Sequence, residues 1–141
     1  MPSARGTSYL EKRLFTVAQK TLSYLSLKDS SVRIFLLSGA EMCELEKKAG
    51  MRRPGHVPNV LSFAEPKGFP HPETRRKLLG EVYVNKDLAT YGFLELVYLL
   101  IHGILHLVGY SHEKKNDILN MEVLEREIYK KVLRNNNQRI F

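Results

Sequence analysis

Three histidines stand close together in the stretch IHGILHLVGYSH, which covers residues 101–112. His102 and His106 are four residues apart, so on a helix both imidazoles project from one face and can reach the same small cation. Gly109 can take the left-handed backbone conformation that ends a helix, which allows His112 to approach the same point from the following turn. The spacing H-x-x-x-H-x-x-G-x-x-H therefore predicts a metal site at the C-terminal end of a helix.

Three neutral imidazoles suit Zn²⁺ or another first-row divalent ion, and we expect one such ion per chain. Three protein ligands leave one coordination position for water or substrate, which is typical of a catalytic site. An ion held in this way lowers the pKa of bound water to about 7, or acts as a Lewis acid on a phosphoryl or carbonyl oxygen. The alternative, three core histidines without a ligand, would leave three buried imidazoles unpaired at a cost in free energy.

The same histidine spacing occurs in metzincin proteases, where a glutamate general base follows the first histidine. Gly103 occupies that position here. A peptidase would need its general base elsewhere in the chain. The sequence therefore favours a metal-dependent hydrolase that acts on another substrate by a different strategy. Glu95 lies seven residues before His102, nearly on the same helix face, and we expect it either to hydrogen-bond an imidazole or to face an arginine or solvent. His56 and His71 lie in Pro/Gly-rich segments and are interpreted as surface histidines.

The bulk composition predicts one domain over residues 1–141, with 43% hydrophobic and 26% charged residues. Cys43 is the only cysteine, so no intrachain disulfide can form and a reducing, cytoplasmic setting is expected. The N-terminus has no apolar run of signal-peptide length. The longest apolar segment, residues 93–108, is shorter than the roughly 20 residues that span a bilayer, so we expect no membrane association.

The chain carries a net charge of +7 and has a pI near 9.6. A basic surface attracts polyanions, so the charge favours nucleic acid as a partner. Part of the excess lies in the C-terminal sequence KKVLRNNNQRIF, which is interpreted as a solvated helix end.

Hydrophobic periodicity predicts the elements that must position the histidines. Residues 9–25 follow helical spacing, and residues 91–108 are apolar on nearly every side, as in a helix surrounded by other elements. The segments SVRIFLL, VLSF and EVYVN have the composition of short strands that pair in one sheet. Ser38 and Glu41 form a capping-box signature for a short helix that Gly50 would end. A last amphipathic helix is predicted over residues 116–134, with Leu119 or Met121, Leu124, Ile128 and Val132 on its apolar stripe.

The block HGILHLVGYSH resembles the signature H-G-x-L-H-L-x-G-Y-D-H of the YbeY-type endoribonucleases, or rRNA maturation factors. Upstream, MRRPGHVPNVLSF and LGEVYVN are similar to the family's arginine-bearing loop, its T-D-V-L-S-F segment and its L-G-D segment, in the same order. Pro58 and Asn59 replace Thr-Asp, Glu81 replaces Asp, and Ser111 replaces the aspartate of the signature. None of these departures changes a predicted metal ligand.

The resemblance implies an α+β fold, with a mixed four-stranded sheet covered by helices, and a zinc-like ion held by the three histidines. It also implies a single-strand-specific endoribonuclease that acts in 16S rRNA 3′-end maturation and ribosome quality control, with RNA and the ribosome or its assembly factors as partners. The family's essential arginine aligns with Arg52, and Arg53 is the second candidate for the same role.

A mechanism follows as a hypothesis. Arg52 would stabilise charge on the phosphoryl oxygens, as a planar guanidinium can. Additional phosphate contacts are expected from four basic residues, Arg53, Lys67, Arg75 and Arg76. Two other functions stay open: a metal-dependent hydrolase of another substrate, including a peptidase, and a ribosome-associated factor whose metal stabilises the fold.

Overall fold

Three of the predicted apolar segments form one mixed sheet. In the computed structural model, which describes residues 5–51, 55–66, 77–109 and 115–136, the strands are β1 (Ser30–Leu37), β2 (Val60–Ala64) and β3 (Lys77–Asn85). Their order is β1-β3-β2, with β3 parallel to β1 and antiparallel to β2. The predicted pairing of SVRIFLL, VLSF and EVYVN in one sheet is confirmed.

The four-stranded sheet implied by the resemblance is not found, since the sheet formed by the described residues has three strands. The rest of the described chain is helical or forms short connections, so it supplies no further strand. The helices are α1 (Arg5–Tyr24), α2 (Gly39–Lys48), α3 (Phe93–Val108) and α4 (Lys115–Asn136), and a 3-10 helix covers Lys86–Tyr91. The architecture is α+β, as predicted.

Helix α3 lies at the centre of the hydrophobic core. It packs against β2, β3, α1 and α4, which explains why its sequence is apolar on nearly every side. Helix α1 covers the same face of the sheet with buried Leu14, Val17 and Leu22. Helix α4 packs against α3 through three buried apolar residues, which are Met121, Ile128 and Val132. In the described ranges no helix is long and apolar enough to cross a membrane.

Two predicted helix boundaries are confirmed. Ser38 caps the N-terminus of α2 by accepting a hydrogen bond from the Glu41 backbone N–H, and the Glu41 carboxylate accepts one from the Ser38 N–H. Gly109 ends α3 with φ of 116°, and its N–H donates to the carbonyl oxygens of Leu105 and His106. Because a side chain is strained at this φ, glycine lets the chain leave the helix three residues after His106.

Gly103 is a point of close approach between α3 and the sheet. A Cβ atom at this position would lie 2.7 Å from Cγ1 of Val82 and 3.0 Å from Oγ of Ser62. The Ser62 hydroxyl also donates to the Gly103 carbonyl oxygen at 2.9 Å, which ties β2 to the helix. The glycine therefore sets the depth at which α3, and the histidines that flank this residue, rest on the sheet.

We expect Gly103→Ala to lower the free energy of unfolding by about 1–3 kcal/mol, because the added methyl group overpacks a tight contact. Urea unfolding measures the change. The control is the same substitution in a Val82→Ala background, where the clashing Cγ1 is absent and the penalty for Gly103→Ala should shrink. An equal penalty in both backgrounds would show that this contact does not limit the packing.

Candidate metal centre

The imidazoles of His102 and His106 converge on one point beside α4. Their Nε2 atoms lie 3.1 Å apart, and the ring centroids lie 4.7 Å apart with the ring planes at 65°. Both side chains are partly buried. The predicted projection of the two histidines from one helix face is thus present in the structure.

The distance between the two nitrogens fits a shared metal ion. Two nitrogen ligands at about 2.0–2.1 Å from a tetrahedral ion lie roughly 3.3 Å apart. The 3.1 Å separation of the His102 and His106 Nε2 atoms is close to this value. The pair can therefore supply two adjacent positions of a zinc-type coordination shell without a large movement of either ring.

Glu125 of α4 fixes the tautomer of His102. This carboxylate is 2% exposed, and its Oε2 atom accepts a hydrogen bond from Nδ1 of His102. An ionised carboxylate accepts hydrogen bonds and cannot donate them. In the neutral tautomer that this contact selects, the proton is therefore on Nδ1 and the lone pair is on Nε2. Carboxylate–histidine pairs of this kind orient metal ligands and raise their basicity.

Tyr98 holds the other oxygen of the same carboxylate. Its hydroxyl donates to Oε1 of Glu125 at 3.4 Å. Burial raises the pKa of Tyr98, and the negative charge of Glu125 and the hydrogen bond to it raise this pKa further. The phenol therefore stays protonated near neutral pH and remains a donor to Glu125.

The sequence did not lead to Glu125, and it left Glu95 either to hydrogen-bond an imidazole or to face an arginine or solvent. In the structure Glu95 is exposed in the first turn of α3 and lines a surface cavity. Seven residues of helix rise by about 10.5 Å, which is too far for a glutamate to reach the ring of His102. A signal for Glu125 does exist, because Met121, Glu125 and Ile128 follow the spacing of one buried stripe. A charge on such a stripe needs a partner.

The third predicted ligand, His112, lies in residues 110–114, outside the described residues. The same holds for the catalytic candidate Arg52 and for the predicted phosphate contacts, which are Arg53, Lys67, Arg75 and Arg76, and for His71. Among the residues that the structure describes, no group of three metal-ligating side chains is assembled. Within these residues the centre therefore consists of the His102–His106 pair and Glu125.

Two other side chains of types that can bind metals, His56 and Cys43, lie elsewhere in the fold. His56 is exposed, as predicted, with its Nδ1 atom 3.8 Å from Oε2 of Glu46. The thiol of Cys43 on α2 lies 3.7 Å from the carbonyl oxygen of His56. Both belong to the α2 region of the fold.

Gly103 also bears on whether the site could hydrolyse peptides. In metzincins the residue at this position is the glutamate base. Here its Cβ would be directed into Val82 and Ser62 of the sheet, so a longer side chain would meet the core. The packing thus gives a steric reason why this helix carries no glutamate beside His102, and it disfavours the peptidase alternative.

Two of the departures from the family pattern, Pro58 and Asn59, make contacts through their backbone carbonyl oxygens. The carbonyl oxygen of Pro58 accepts from the Asn85 side-chain amide at 3.2 Å, and that of Asn59 accepts from the Asn85 backbone N–H at 2.9 Å. Glu81 accepts a hydrogen bond from the hydroxyl of Tyr83 at 2.7 Å. The segment that leads into β2 is therefore held by main-chain groups.

Comparison with known proteins identifies the family. A sequence model with the description Endoribonuclease YbeY matches residues 4–133, which is nearly the whole chain. The chain belongs to the YbeY endoribonuclease family. The resemblance at HGILHLVGYSH is thereby confirmed, and membership of the YbeY family supports an endoribonuclease role.

Relatives described as Endoribonuclease YbeY align over most of their length. That of Bartonella bacilliformis is 31% identical over 136 residues, covering 86% of this chain and 84% of the relative. That of Vesicomyosocius okutanii is 32% identical over 134 residues, covering 89% of each. The solution structure of TM1509 from Thermotoga maritima matches with a TM-score of 0.61 and 23% identity, over 93% of this chain and 86% of the other. This structural match supports the α+β fold.

We expect Glu125→Gln to lower the affinity for Zn²⁺ by about 10- to 100-fold, because the ring of His102 loses its charged partner. Competition with a chromophoric chelator measures this affinity. Glu122→Gln is the matched control, since it removes an exposed carboxylate from the same helix. Equal zinc affinities of the two variants would contradict the role of Glu125.

Proposed function

We propose that this protein is a metal-dependent endoribonuclease that cleaves single-stranded RNA in 16S rRNA 3′-end maturation and ribosome quality control. The observation that carries the proposal is the pair of Nε2 atoms 3.1 Å apart, one of them on a ring held by buried Glu125. The endoribonuclease description of its relatives supports the choice of RNA as substrate. The proposal includes action in the cytoplasm, with the ribosome or its assembly factors as partners.

The proposed metal is one Zn²⁺ per chain, or another first-row divalent ion, with His112 as the third ligand beside His102 and His106. Such an ion supplies Lewis acidity and lowers the pKa of water. The donor set fits it, because three neutral imidazoles are a typical catalytic zinc site. Residues 1–141 form one catalytic domain in this proposal.

The protein groups around the ion have separate tasks. Glu125 accepts a hydrogen bond from Nδ1 of His102, which directs Nε2 of the ring towards the ion, and Tyr98 keeps the carboxylate of Glu125 in place by donating to it. Arg52 is proposed to stabilise negative charge that develops on the phosphoryl oxygens, with Arg53 as its substitute.

The positive charge of the chain would contribute to the binding of RNA. We propose that Arg53, Lys67, Arg75 and Arg76 contact phosphates along the bound strand. These contacts and the net charge of +7 would make RNA binding weaken as salt is added.

We expect the zinc-loaded protein to cleave a single-stranded RNA oligonucleotide and to lose this activity on treatment with a chelator. Arg52→Ala should reduce kcat by on the order of 10²–10³, the usual effect of removing one electrostatic stabiliser of the transition state. His106→Ala should abolish cleavage together with tight metal binding. Lys28→Ala is the control, because it removes an exposed charge from the turn before β1 and should leave cleavage unchanged.

The outcomes separate the alternatives. Cleavage that survives in both His106→Ala and Arg52→Ala would indicate a contaminating nuclease and contradict the proposal. A folded, metal-replete protein that binds RNA without cleaving it would indicate a ribosome-associated factor with a structural metal. Cleavage of a peptide substrate without cleavage of RNA would indicate the peptidase.

A further inference from the structure

A groove lined by aromatic side chains runs along α3 and α4 beside the metal centre. Three tyrosines form its walls: Tyr91 at the end of the 3-10 helix, Tyr98 on α3 and Tyr129 on α4. The cavity between them has a volume of about 660 Å³, within the range of small-molecule sites. We refer to these three residues and the space between them as the tyrosine groove.

Two of the three tyrosines are exposed to solvent. Tyr91 is 77% exposed and Tyr98 is 43% exposed, while Tyr98 and Tyr129 meet edge to face with centroids 6.2 Å apart. Three aromatic rings around one cavity are unusual for a surface that contacts only water. Flat aromatic ligands such as nucleobases stack on exposed rings of this kind, and such stacking tolerates any base.

The carboxylates of the groove favour a base over a phosphate. Glu95 and Glu122 line it together with Arg126. Two carboxylates repel a phosphodiester, but they accept hydrogen bonds from the amino and imino groups of base edges. The hydroxyl of Tyr98 already donates to Glu125, while burial raises the pKa of Tyr129, so this second phenol stays protonated and can donate near neutral pH. The groove thus offers stacking surfaces, acceptors and a donor for a heterocycle.

One residue, Tyr98, connects the groove with the metal centre. Tyr98 precedes His102 by four residues, about one helical turn on α3. The hydroxyl of Tyr98 donates to Glu125, whose second oxygen holds His102. A base in the groove would therefore lie next to the residues that would bind the cleaved phosphodiester.

We infer that the tyrosine groove is a subsite for one unpaired nucleobase of the RNA, next to the bond that is cleaved. This inference rests on the proposed endoribonuclease function. It also gives a physical cause for the proposed single-strand specificity, because a paired base is stacked within a duplex and must leave it to enter the groove.

The test compares cleavage of a single-stranded RNA oligonucleotide by the zinc-loaded wild type, Tyr91→Ala and Tyr91→Phe. Loss of one stacking surface should raise KM on the order of tenfold with little change in kcat, and the phenylalanine variant should retain the wild-type KM. Tyr91 is suited to this test because its exposed ring contributes little to folding. Tyr24→Ala is the matched control, since Tyr24 is 41% exposed at the end of α1.

A second set of oligonucleotides carries one abasic residue at successive positions around the cleavage site. At one position the missing base should raise KM of the wild type about as much as Tyr91→Ala does, and the two changes together should have no additive effect. Additive effects at every position, or an unchanged KM for Tyr91→Ala, would overturn the subsite.

Failure of the proposed function is distinguishable from failure of the subsite. If the wild type does not cleave RNA, the endoribonuclease proposal fails, and the same oligonucleotides are then compared by fluorescence anisotropy. Weaker binding of Tyr91→Ala to the intact RNA, with no difference at the abasic position, would still support a base-binding groove. Equal binding by the wild type and Tyr91→Ala would overturn it.

Discussion

The contact between the buried carboxylate of Glu125 and Nδ1 of His102 links the fold to the chemistry. A buried carboxylate without a partner would destabilise the folded state, and here its two oxygens accept from His102 and Tyr98. The same contact holds α4 against α3 and fixes the ring of His102 with its lone pair on Nε2. Packing of the two helices and the orientation of a predicted metal ligand therefore depend on one carboxylate.

The central position of α3 supports this contact. Gly103 brings the helix close to Val82 and Ser62, while the neighbouring face of the same helix carries His102 and His106, the first of which meets Glu125 of α4. Because the core surrounds α3, its rotation and depth are fixed, and the two Nε2 atoms stand at a separation that suits one ion. Such rigid support on helices, rather than on loops, is what a precise metal site requires.

Much of this arrangement could be predicted from the sequence. The four-residue spacing of His102 and His106 places both on one face of any helix, and Gly109 is suited to the left-handed residue that ends α3. These features follow from local geometry. The four-stranded sheet came from the family resemblance, and the described residues form three strands.

The partner of His102 could not be read from local spacing. Glu95 lies nearly on the same helix face as His102, but it is two turns away along the axis. Glu125 is 23 residues away in the sequence and reaches the ring because α4 packs on α3. Its place on the buried stripe of α4 indicates a buried charge, but only the tertiary structure shows which group pairs with it.

X-ray absorption spectroscopy of the zinc-loaded protein tests the central claim most directly, because it identifies the atoms bound to the ion. The account predicts three imidazole nitrogens at about 2.0–2.1 Å, with a further oxygen ligand and no sulfur. His102→Ala should reduce the number of imidazoles or abolish binding. A sulfur ligand at about 2.3 Å, or fewer than three imidazoles in the wild type, would contradict a catalytic site built from His102, His106 and His112.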